Sequence, residues 1–292
     1  MPHIAKICIY PIKSLDGVEV TQAKVSQSGA LEYDKPTAWL RDKPTAWLGD
    51  KPTAWLRDKP TAWLRDRQFA ILDEQGKYVN AKRYGKIHLL RSKFDLENKI
   101  VSLQIQGSDI EEIFNLESEK QYLEAWLSDF FGFNVKLQQN LITGFPDDTI
   151  SPGPTIISTA TLREVASWYS DLNEDDIRRR MRTTIEIDGV PAFWEDRLFS
   201  ETDNGVYFKI SNLQFVGVNP TQRCIVPTRN PITGEVNSNF QKIFINQRRE
   251  TLPEWVNKSR FNHFYKLAVN TRLAEEEVGN KVIQVGDEIV LL

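Results

Sequence analysis

The sequence predicts a mainly β protein with a few helices. Three observations predict it. Short runs of β-branched and aromatic residues recur between Gly, Asp and Asn turns. Only a handful of stretches carry helical spacing. In the second half many short strands follow one another with few helices between them, a pattern that suggests a barrel.

In order along the chain, strands are expected at 4–10, 18–26, 68–72, 77–80, 86–92 and 100–105. "EKQYLEAWLSDFFG" then places Tyr122, Leu123, Trp126, Leu127, Phe130 and Phe131 on one helical face and stops at Gly132. "NLITGFPDDTISPGP" reads as a loop and marks a domain junction, dividing the chain into 1–142 and 143–292. A second helix follows at "STATLREVASWY", where Thr161 and Glu164 have capping-box spacing. "NEDDIRRRMR" is a third, with acids at its start and arginines at its end, as the helix dipole favours. Short strands are expected at "TTIEIDG", "VYFKISN", "LQFVGVN", "KIFIN", "FYKLAVNT" and "KVIQVGDEIVLL".

One stretch does not fit this pattern. Residues 35–66 hold four copies of an eight-residue unit, KPTAWL(R/G)D, with Gly49 the one departure. Repeat folds use periods of roughly 20–50 residues, because each unit must supply a supersecondary element. In a helix Trp39, Trp47, Trp55 and Trp63 would spiral around the axis, and the four prolines forbid an unbroken helix or central strand. Excising 35–66 joins Asp34 to Arg67 and gives "SGALEYDRQFAILDEQGKYVNAKRYGKI", in which each side completes the other. The array therefore reads as a tolerated surface insertion. The alternative is a basic aromatic patch for a partner, since it carries seven cationic and four acidic residues and half of the eight tryptophans.

Net charge is −3, and about −6 without the array, which argues against a general nucleic-acid binder. "MPHIAKICIYPIK" has no apolar leader core, and no run approaches a membrane span, so a cytoplasmic enzyme or binding protein is expected. Two cysteines cannot form a disulfide framework or a four-cysteine metal site. His3, His88 and His263 have no ligand spacing, and no phosphate-binding glycine loop or nucleophile elbow is present.

The sharpest candidate site is "NPTQRCIVPTRNPITGE" at 219–235. A free cysteine is usually a buried, inert one, but Arg223 beside Cys224 favours thiolate over thiol. Cys8 lies inside an apolar strand and reads as core. Residue types take the argument no further.

Four motifs in order carry a resemblance: "IYPIKSLDGVEV", the rejoined "YDRQFAILDEQGKYVNAKR", "RCIVPTRNPITGE" and "IQVGDEIVLL". With the array removed, nearly the whole chain resembles the MOSC family, the molybdenum-cofactor-sulfurase C-terminal domain, with its N-terminal β-barrel partner domain. It is similar to the amidoxime-reducing component and its stand-alone bacterial relatives. The resemblance implies a β-barrel MOSC domain behind a β-barrel-like domain, and a molybdopterin-type molybdenum cofactor with Cys224 as metal ligand. By position it implies cofactor contacts from Lys13, Ser14, Lys82, Ser158, Thr159, Thr161, Arg182 and Arg223, and an acidic pair, Glu195 and Asp196, orienting arginines or moving protons. By type alone the contact residues read first as a turn lysine, a helix cap and solvated arginines, Lys82 most of all, and Glu195 and Asp196 equally as a surface strand-turn pair. The chain departs from its relatives at Lys82, Thr183, Thr184 and Asn230, which bears on the substrate.

The implied function is reduction of N-oxygenated or similar small substrates. Electrons would come from an external ferredoxin-like or flavin-dependent partner, with no nucleic acid or membrane involved. The alternative is a non-redox cofactor carrier, or a sulfur-transfer module holding a persulfide on Cys224.

Overall fold

The computed structural model describes residues 1–34, 64–202, 205–274 and 281–292. The array outside Leu64–Asp66, with all four of its tryptophans, lies beyond the described residues. The described residues form sixteen strands and four α-helices, so the protein is mainly β.

The first half supplies β1 (His3–Ile9), β2 (Val18–Val20), β3 (Gln22–Val25), β4 (Leu31–Tyr33), β5 (Phe69–Asp73), β6 (Leu90–Asp95), β7 (Ile100–Ile105) and β8 (Glu111–Asn115). Helix α1 (Lys120–Phe131) ends on Gly132, whose φ of 82° is the left-handed conformation expected of a helix-stopping glycine. After it come β9 (Val135–Gln139), β10 (Ile156–Ser158), α2 (Thr159–Ser167), α3 (Glu174–Met181) and β11 (Ile185–Asp188). The last part holds β12 (Val206–Ile210), β13 (Leu213–Gln222), α4 (Phe240–Glu250), β14 (Lys266–Leu273), β15 (Val282–Gln284) and β16 (Ile289–Leu291).

The main sheet has eight strands in the order β16-β12-β13-β14-β10-β11-β1-β2. It crosses the expected boundary at 142, because β1 pairs with β11 and, in a second sheet, β15 pairs with β3. Its ladder is open, but it curls until β1 and β16 nearly meet. His3 and Glu288 form a single bridge there, with Ile4 N–H to Asp287 O and Ile289 N–H to Pro2 O both at 2.9 Å. The parallel pair β10–β11 is spanned by α2 and α3, the crossover that parallel strands require. β13 bends through register shifts on either side of Pro220, which is where a proline is tolerated inside a sheet.

Two expected strands are not strands. "KIFIN" lies inside α4, which buries Phe240, Phe244 and Arg248 at four-residue spacing on one face. Residues 77–80 form no strand, and only Tyr78 makes an isolated bridge to Leu72. The segment expected as a strand at 86–92 begins as a 3-10 turn, Gly85–Leu89, before β6 starts. The cap of α2 is Ser158, whose side chain accepts from Thr161 N–H, not Thr161 itself. Helix α3 follows expectation, with a full capping box between Asn173 and Asp176.

The edge drawn for the array at 66 is also corrected. Leu64 is fully buried, Tyr33 N–H donates to Leu64 O at 3.0 Å, and Asp66 N–H donates to Leu31 O at 2.7 Å. Arg65 pairs with Glu32 at 3.1 Å, and Asp66 accepts Tyr10 N–H at 2.9 Å. The last three residues of the fourth copy therefore belong to the fold. Among the described residues no helix is long and apolar enough to cross a membrane.

Candidate functional site

One cavity of about 1320 Å³ opens where the ends of β1, α3, β11 and β13 converge with the loops at 80–91 and 146–155. Thirteen lysines and arginines and seven carboxylates line it. It is thus cationic inside a chain whose overall charge is negative.

Cys224, directly after β13, is half-buried on its wall. The preceding Arg223 is fixed by main-chain carbonyls. Its guanidinium donates to Leu267 O at 2.7 and 3.1 Å and to Met181 O at 3.0 Å. Burial brings this guanidinium down to about 10, opposed by the neighbouring Cys224 and Tyr265.

Lys13 and Ser14 arrive from the turn after β1. Lys13 Nζ lies 2.6 Å from Asp147 and donates to Phe145 O at 2.9 Å, while Ser14 sits at a φ of 77°. Desolvation pushes Asp147 up, but Arg67 and Lys13 outweigh it and hold the carboxylate low, at about 2. Arg182 caps α3 in the left-handed conformation, lies 4.3 Å over the Tyr10 ring and donates to Leu15 O at 2.6 Å. Lys82 stands exposed at the rim. Five of the expected residues, from four distant stretches, thus line one space with Cys224.

The other five do not. Ser158, Thr159, Thr161, Glu195 and Asp196 are buried behind the sheet and line no part of this cavity. Thr161 donates to Glu195 at 3.1 Å and Thr159 to Glu186 at 2.9 Å, so the α2 N-terminus is closed internally and offers no anion site. Burial first, then Asp196, push the Glu195 carboxyl up to about 7. Asp196 is ion-paired with Arg248, which is completely buried between the rings of Phe193, at 4.1 Å, and Phe261, at 5.0 Å. Of the acidic pair, Asp196 alone pairs with an arginine, and that arginine is a core one.

Cys8 is corrected too. It lines the cavity instead of lying in the core, and burial pushes its thiol up to about 11. Not foreseen were Arg67, His88, Arg91, Asp147 and Arg229. Arg67 and Arg229 stand inside motifs whose pattern was visible; the others reach the cavity only through long-range pairing. Several lining donors are buried with no partner among the described residues, including Arg180 Nε, Arg229 Nε and Ser151 Oγ.

Fold and site define a class: a mainly β protein with one large cationic cavity and a half-buried thiol on its wall. No family model matches this chain, and no curated protein matches it.

Proposed function

We propose that the cavity binds a molybdopterin-type molybdenum cofactor through Cys224. On this reading the protein is an oxidoreductase that reduces N-oxygenated or similar small substrates with electrons from an external partner. One observation carries the reading. Cys224, Ser14 and the cationic residues expected beside them, Lys13, Lys82, Arg182 and Arg223, line one cavity.

The donor set suits the group. Two buried donors without protein partners, Arg180 Nε and Ser151 Oγ, suit an anionic, hydrogen-bonding ligand, because leaving each unmet costs about 1–3 kcal/mol. A thiolate is a soft ligand of the kind molybdenum takes. Among the described residues no three His, Cys, Asp or Glu side chains gather as a metal site, so this chain would supply Cys224 alone. When bound, the cofactor supplies two-electron oxygen-atom chemistry. The net change on the substrate is loss of one oxygen as water, using two electrons and two protons.

The chain's own residues do the rest. Arg223, locked by Leu267 O and Met181 O, keeps a fixed positive charge beside the Cys224 sulfur. Lys13, Arg67 and Arg182 would lend positive charge to the cofactor's phosphate tail, and Arg offers it bidentate donors.

The test is expression in cells that make molybdopterin, with molybdenum and pterin measured per protein for wild type and Cys224→Ala. Near-stoichiometric loading is expected, with metal chemistry lost in the variant. No pterin in either protein rejects the reading, and a persulfide found on Cys224 would then favour sulfur transfer.

A further inference from the structure

We propose that the cavity wall built by residues 85–91 and 229–234 is a subsite for the oxyanion group of a small molecule, a carboxylate or phosphate, held by Arg91 and Arg229 beside His88. Arg229 Nη1 donates to Gly234 O at 3.0 Å, while its Nε is buried with no partner among the described residues. Arg91 Nη2 donates to His88 O at 2.7 Å and Pro231 O at 3.1 Å, and its Nε is likewise unmet. His88 Nε2 is a third unmet buried atom on the same wall.

The seating is too close to be casual. A Cβ at Gly85 would stand 2.8 Å from Arg229 Nη1, and one at Gly234 would stand 2.8 Å from Gly85 O. Gly85 thus lets the Arg229 guanidinium lie against bare backbone, and Gly234 lets the two turns approach each other, which removes part of the ordering cost of binding. The turn that carries it is fixed as well, with Asn230 Oδ1 accepting from Ile232 N–H at 2.8 Å and Thr233 N–H at 3.1 Å.

Charge on this wall is unbalanced. Arg91 pairs with Asp16 at 3.3 Å, whereas Arg229, Arg182 and the exposed Arg179 have no carboxylate ion pair among the described residues. Lys13 and Arg67, by contrast, already share Asp147. Burial, then Arg182, Arg229 and Arg91, pull the His88 imidazole down to about 4, so it is neutral at physiological pH. An arriving anion offsets those cations and favours the protonated ring, which makes His88 a reporter of occupancy.

Assigning this oxyanion to the substrate rests on the proposed function; the subsite itself does not. The test is NMR of full-length protein with labelled histidine, titrated separately with sodium phosphate and sodium succinate at constant ionic strength. Only three histidines contribute signals. A saturable shift of His88 is expected with at least one probe, with its pKa moving up and His3 and His263 unchanged. Whichever probe acts identifies the oxyanion class. Arg229→Gln should weaken binding about tenfold or more, as loss of a charge-assisted bond predicts. The unshifted His3 and His263 signals report that the variant is folded. Pterin content of Arg229→Gln protein should equal wild type. No saturable His88 shift, or an affinity equal to wild type in both Arg229→Gln and Arg91→Gln, overturns the subsite. So does pterin loss in Arg229→Gln, since the wall would then hold the cofactor's own phosphate. A His88 response in protein that never acquires pterin keeps the subsite and removes the cofactor reading.

Discussion

Cys8 and Cys224 line the same cavity from distant parts of the sequence, yet their neighbours differ. Cys8 is pushed up to about 11 by burial and stays a thiol at neutral pH. Cys224 follows a guanidinium that main-chain carbonyls hold still. A buried group whose titration falls near neutral pH is Glu195. Its folded pKa of about 7 exceeds the ordinary 4.5, so the native state holds this proton more tightly than the unfolded chain. The stability it provides is complete below pH 4.5 and is lost as pH rises through about 7. That loss amounts to about 3 kcal/mol. Glu195→Gln should therefore flatten the stability profile between pH 5 and 8 and be the more stable protein at pH 8. Urea unfolding at both values reads this directly. An unchanged difference between the two pH values would mean that another group titrates.

At the scale of elements, the fourth array copy makes a sharp prediction. Deleting 35–58 leaves one copy and keeps Leu64, Arg65 and Asp66 against β4. Deleting 35–66 removes that contact. It costs the burial of Leu64, about 1.5–3 kcal/mol, and paired hydrogen bonds of about 1 kcal/mol each. The shorter chain should unfold at clearly lower urea concentration, and equal midpoints would show that Asp34 replaces Asp66 in full. This boundary was illegible because the copies are nearly identical, so nothing local marks which one packs. Helices α1 and α3 were legible from periodicity and from capping residues. "KIFIN" misled because β-branched residues signal strand locally, while Phe240 and Phe244 at helical spacing decide the packing.

Across the whole molecule, closure depends on the far end of the chain. Ile283 and Ile289 are buried against elements of the first half and of the main sheet, and β16 bridges to β1. Removing 288–292 should cost about 2–3 kcal/mol from Ile289 alone. It also exposes the edge of β12, and limited proteolysis should then cut near 206–210, which β16 covers in the full chain. Protection equal to wild type would show that β16 is dispensable. The thiol, its arginine and the Lys-Ser turn were legible because short motifs carry them. The wall of His88, Arg91 and Arg229 was not, since only the folded approach of two turns brings those side chains together.

The pairing of β1 also sets a schedule. His3 finds Asp188 across one edge and Glu288 across the other, so its first partner in this sheet is made 185 residues later. β1 gains β2 almost at once, but at ribosomal speeds of about 5–20 residues per second its other edge waits roughly ten seconds or longer for β11. The cavity needs β1, β11 and the turn after β13 together. No ligand can therefore nucleate folding early. Any loading of this cavity would be a late event, and until β11 is made the second edge of the first strand stays unpaired.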